Sequence, residues 1–102
     1  MKGRLLDPRL IGRWMVDPRD DAAIQEYGAV EMEFAADGRL TYLVREGAAS
    51  QVILLHFWTE ASEIVTDQAS SPQIERTPYE IVPDGRLILR YPGVQAALLR
   101  SE

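Results

Sequence analysis

The stretch EMEFAADGRLTYLV, residues 31–44, constrains this chain more than any other. Val30, Met32 and Phe34 alternate with Glu31 and Glu33, and beyond a break Leu40, Tyr42 and Val44 share one face. A period of two places successive side chains on opposite faces of an extended strand. Between the two runs, Ala36-Asp37-Gly38-Arg39 supplies turn chemistry, with Gly38 free to take positive φ. Residues 29–45 are therefore expected to form a β-hairpin.

The rest of the chain follows the same pattern. Leu10–Val16 reads as a first strand, ended by Asp17-Pro18 because proline disfavours a strand interior. Residues 17–28, DPRDDAAIQEYG, stay open between a plain loop and one or two helical turns with Asp17 as N-cap. Gly28 stops that segment. Gln51–Glu60 is a long strand with Val52, Leu54, His56 and Trp58 on one side and Ile53, Leu55 and Phe57 on the other. Apolar groups on both faces imply a strand covered twice, by an oligomeric partner or by the N-terminal segment. Ile64–Asp67 is a short strand and 68–73, QASSPQ, a loop by composition. Ile74–Val82 is extended, with Pro78 marking a bulge or an edge. The Asp84-Gly85 turn leads into Arg86–Tyr91, and Pro92-Gly93 turns the chain into a closing strand over 94–100. About eight short strands with tight turns, and no helix of ordinary length after residue 28, predict an all-β fold: a small antiparallel up-and-down barrel, which leaves no exposed edge.

A length of 102 residues suits one domain, here 10–102 behind a lead-in at 1–9 where Pro8 restricts Asp7. A net charge of −5 argues against binding the phosphate backbone of nucleic acid or an anionic membrane surface. The absence of cysteine excludes disulfides, thiolate catalysis and Cys-ligated zinc, and fits a reducing cytoplasm, the expected location. The opening MKGRLLDPRLIGRW has no apolar run of signal-peptide length, and Val52–Leu55 is too short to span a bilayer.

Residues that carry chemistry are few. His56 is the only histidine, in an apolar strand, and is the one candidate for general-base or ligand-bonding work. Glu60, Glu63, Asp67 and Glu80 are the acids that could pair with it. A lone histidine cannot build a His-rich metal site, and neither a HExxH, a Gly-x-Ser-x-Gly elbow, a phosphate loop nor a dinucleotide fingerprint occurs. No metal and no cofactor are expected. Tyr42, Trp58, Tyr79 and Tyr91 have two readings: they pack the core, or they line an apolar pocket with His56, Arg76 and Tyr42 as polar handles.

Residues 10–16, LIGRWMV, resemble the Gly-x-Trp start of the first barrel strand in lipocalin-like (calycin) proteins. EMEFAADGRLTYLV, YEIVPDGRLILRY at 79–91 and the terminal LLR at 98–100 are similar in style to small bacterial lipocalin-like domains of uncharacterised function. The resemblance implies that Gly12 and Trp14 open the barrel, that Trp14 plugs one end, and that Arg100 packs over its ring. A guanidinium over an indole face is worth roughly 0.5–2 kcal/mol, and the arginine stem covers apolar surface as well. Arg90 is the alternative cap.

Three functions follow as expectations. The first is a non-enzymatic binder of a small apolar or amphipathic molecule. The second is a homodimerising interaction domain with a filled core, its interface an exposed row of Ile53, Leu55 and Phe57. The third, ranked last, is a small-barrel enzyme using His56 and a nearby carboxylate.

Overall fold

Eight antiparallel strands follow one another in chain order around a closed barrel, and the last pairs back with the first. The structure is a computed structural model and describes residues 6–46, 49–68 and 74–101. The strands are β1 (Gly12–Val16), β2 (Ala29–Phe34), β3 (Arg39–Glu46), β4 (Ala49–Glu60), β5 (Glu63–Asp67), β6 (Ile74–Ile81), β7 (Leu87–Leu89) and β8 (Ala96–Ser101). A 3-10 turn, Pro8–Leu10, precedes β1, and a short helix, α1 (Asp21–Tyr27), bridges β1 and β2. The all-β up-and-down barrel expected from the sequence is the fold. No helix among the described residues is long and apolar enough to cross a membrane.

The hairpin at 29–45 forms as its alternation predicts, with β2 and β3 in register from Ala29↔Arg45 to Phe34↔Leu40. Gly38, at φ 94°, donates its N–H to Ala35 and closes the turn. Two neighbouring expectations need correction. Leu10 is not strand, because Pro8 sets a 3-10 turn that Asp7 caps by accepting the Arg9 N–H. The helix within 17–28 is capped by Asp20 rather than Asp17. Asp17 is held elsewhere, accepting the backbone and side-chain N–H groups of Arg19, whereas Asp20 accepts from Ala23 at the helix start and from Ala97 on β8. Pro78 makes neither a bulge nor an edge: β6 pairs with β5 up to Pro78 and with β7 from Tyr79 onward, so proline sits at the handover between partners. The loop expected at 68–73 lies, from 69 onward, outside the described residues.

The register of β4 settles the question its sequence left open. Leu55 stands opposite Leu40 and Ile53 opposite Tyr42, so Ile53, Leu55 and Phe57 face the barrel interior. The exposed interface row expected from these three residues is therefore wrong. The outward row is Val52, Leu54, His56 and Trp58, of which Val52 and Leu54 are 58% and 66% exposed. Trp58 is buried on that outer side and donates its indole N–H to Glu60.

One end of the barrel is solid. Leu10, Trp14, Phe34, Leu40, Phe57 and Leu87 are buried there, with Phe34 and Phe57 edge to face at 4.9 Å. Trp14 donates its indole N–H to the Leu10 carbonyl at 2.9 Å. In the β1–β8 seam Trp14 stands opposite Arg100, whose guanidinium carbon lies 4.3 Å from the centre of the ring. The same guanidinium donates to the carbonyls of Ile11 and Arg9. Gly12 makes room for it: at φ 128°, a Cβ there would meet Arg100 Nη1 at 2.6 Å. Arg90, the alternative cap, instead pairs with Glu80.

Asp7 and Tyr79 fasten the 3-10 turn to this end. The Tyr79 hydroxyl donates to Asp7 Oδ2 at 2.6 Å, and Arg9 grips the same carboxylate with its guanidinium. Those Arg9 hydrogen bonds, joined by the Tyr79 hydroxyl and opposed by partial burial, lower the Asp7 carboxyl from 3.8 to about 2. A depressed carboxylate contributes stability that is complete above its unfolded value and is lost as pH falls through its folded value. We expect Asp7→Asn to cost about 2 kcal/mol near neutrality and to flatten the acid limb of stability below pH 4. Urea titrations across that range check it, and an unchanged acid limb would remove Asp7 from the account.

Candidate functional site

The other end of the barrel stays open as a cup of about 290 Å³. Its walls follow from the inward positions of five strands: Val16, Val30, Met32, Val44, Leu89, Ala96 and Leu98. The helix α1 closes one side. Ala23 is fully buried in the core and Tyr27 packs against it, which sets Tyr27 and Glu26 on the cup. Every other inward group on the wall is aliphatic or thioether, so the polar chemistry of the cup belongs to Tyr27, Tyr42, Tyr91 and Glu26.

The three phenols are held in place. Tyr42 and Tyr91 share a hydroxyl–hydroxyl contact at 3.3 Å from opposite sides of the barrel. The Tyr27 and Tyr91 rings are tilted at 5.0 Å between centroids, and the Tyr27 hydroxyl donates to the Val94 carbonyl. Burial raises the pKa of all three above the ordinary phenol value, and for Tyr91 the neighbouring Tyr42 adds to the effect. They are neutral hydrogen-bonding groups across the physiological range. Glu75 lies outside the cup's lining but near its rim. It stands opposite Thr66 on β5, on the inward-facing side of β6, and its charge raises both Tyr42 and Tyr91.

The remaining sequence candidates do not meet here. Tyr79 faces inward at the closed end and is spent on Asp7. His56, Trp58 and Arg76 are on the outer face, because β4 runs with its odd-numbered residues inward and Arg76 stands opposite the outward Val65. Arg76 pairs there with Glu60 at 2.8 Å and Glu63 at 3.6 Å. His56 is exposed beside a more open groove shared with Asp37, Trp58 and Asp67. Asp67 is its cross-strand neighbour, yet the imidazole makes no hydrogen bond to it or to any other described residue. Among the described residues no three His, Asp or Glu side chains come together to hold a metal ion.

Sequence reasoning therefore reached Tyr42 and Tyr91 and missed Tyr27, Glu26 and Glu75. Tyr27 and Glu26 lay in the segment whose conformation was open, and the signal for them was the Gly28 stop, which puts Tyr27 in the last turn of any helix there. Comparison with models of protein families, with curated proteins and with solved structures finds no match to this chain.

Proposed function

We propose that the chain is a binder of a small, largely apolar molecule in the open end of its barrel, the function that resemblance to lipocalin-like domains implies. The observation that carries this reading is the cup itself: aliphatic walls, three phenols at fixed positions, and an opening toward solvent. Ligand sites have this composition, apolar lining with a few placed polar groups. A volume of about 290 Å³ lies at the lower end of the range for such sites and suits a compact molecule rather than a long acyl chain.

A second reading, self-association, rests on the outward apolar pair Val52 and Leu54. Native mass spectrometry of freshly purified protein addresses both. A mass excess lost on denaturation supports the binder, and a dimer without added mass supports the interface. A neutral apolar fluorophore, N-phenyl-naphthylamine, then tests the location. Val44→Trp narrows the mouth and is expected to weaken probe binding at least about tenfold with the melting temperature little changed. Undiminished binding in that variant would place the probe outside the cup and overturn the proposal.

A further inference from the structure

We infer that the cup selects an organic cation, an amine or quaternary ammonium carried on a compact apolar body. The inference rests on the binding reading above and assigns its ligand class. Three tyrosine rings meet at one cavity, two of them 5.0 Å apart. An aromatic face attracts a cation through its quadrupole, and several faces around one opening make a site of the kind that holds ammonium groups. Carboxylates add the matching charge from two directions: Glu26 of α1 lines the cup, and Glu75 of β6, outside the lining but on the inward side of its strand, is near enough for its charge to act on Tyr42 and Tyr91. No lysine, arginine or histidine is among the residues that line the cup.

The phenols favour the same sign. In the Tyr42–Tyr91 contact one hydroxyl donates and the other accepts, and both oxygens keep acceptor capacity for an N–H donor. The Tyr27 proton is already given to Val94, so its oxygen also offers only lone pairs. At most one phenol hydrogen is left for an incoming acceptor. A carboxylate ligand would lose most of its hydration, gain that single donor, and sit between two like charges. An ammonium would exchange hydration for rings, oxygens and carboxylates. Glu26 and Glu75 are exposed to solvent, so neither carboxylate is buried in the wall, and the chain's net charge of −5 draws cations from a distance.

Three probes share one apolar body and differ in the head group: phenylbutylamine, phenylbutanol and phenylbutyrate. Calorimetric titration at low salt should find the amine about tenfold tighter than the alcohol, with the carboxylate weakest. Raising the salt concentration should shrink the amine's advantage. Glu75→Gln, at an exposed rim position, should weaken the amine by about fivefold, a larger factor than for the alcohol. An alcohol or a carboxylate that binds as tightly as the amine overturns the cation assignment and leaves the binding reading standing. Failure of all three probes at millimolar concentration overturns the binding reading and the cation assignment together.

Discussion

Trp14→Ala is expected to cost about 4 kcal/mol of folding stability and to lower the melting temperature by roughly 20 °C. The ring is 1% exposed, fills the closed end among Leu10, Phe34 and Leu40, and gives its N–H to the Leu10 carbonyl. Removal leaves a cavity, an unpaired carbonyl and an Arg100 guanidinium with nothing beneath it. For a domain of ordinary stability the loss is a large share of the total. Trp14→Phe separates the contributions, since it keeps much of the volume and removes the hydrogen bond. Denaturant titrations followed by circular dichroism measure both. A loss below about 1 kcal/mol for the alanine variant would show that the closed end does not depend on this ring.

Gly12→Ala comes second, at about 3 kcal/mol, from one added methyl group. Two causes act together. A φ of 128° is one that side chains rarely adopt, and the new Cβ would stand 2.6 Å from Arg100 Nη1. A double-mutant cycle divides them. In an Arg100→Ala background the steric part disappears and the backbone strain remains, so the penalty should fall by about half, with a coupling of at least about 1 kcal/mol. Equal penalties in both backgrounds would show that Gly12 is required by its backbone alone.

The sequence was most legible where local chemistry had one solution. The Asp37-Gly38 hairpin combines strict alternation with a turn that only a few residues make, and its register follows. Legibility ended where local rules were degenerate. Asp17 and Asp20 are equally good caps in isolation, and the choice belongs to a distant group, the Ala97 N–H on β8 that Asp20 also satisfies. In β4 both alternating sets are apolar, so periodicity named the faces without saying which turned inward; the pairing of Leu55 with Leu40 decided it. His56 and Trp58 went outward with that decision, and the polar handles expected in the cup went with them. The cup's own polar groups come from α1, β3 and the segment after β7, which meet only once the barrel closes. No window of sequence contains them together.

The Arg100 clasp also bears on how long a folded molecule lasts. It reaches the Ile11 and Arg9 carbonyls across 89 and 91 residues of chain, whereas the other strand pairs join neighbours in the sequence, the longest link being the α1 segment between Val16 and Ala29. Contacts this remote carry the largest loop-closure entropy, so the β1–β8 seam is expected to be the last part of the circle to join. Interactions made after the rate-limiting step leave the folding rate almost untouched and set the escape rate from the native state. Gly12, Trp14 and Arg100 are thus expected to set the lifetime of the barrel more than the speed of its assembly: in stopped-flow chevrons a chain weakened at the seam should fold on time and open early.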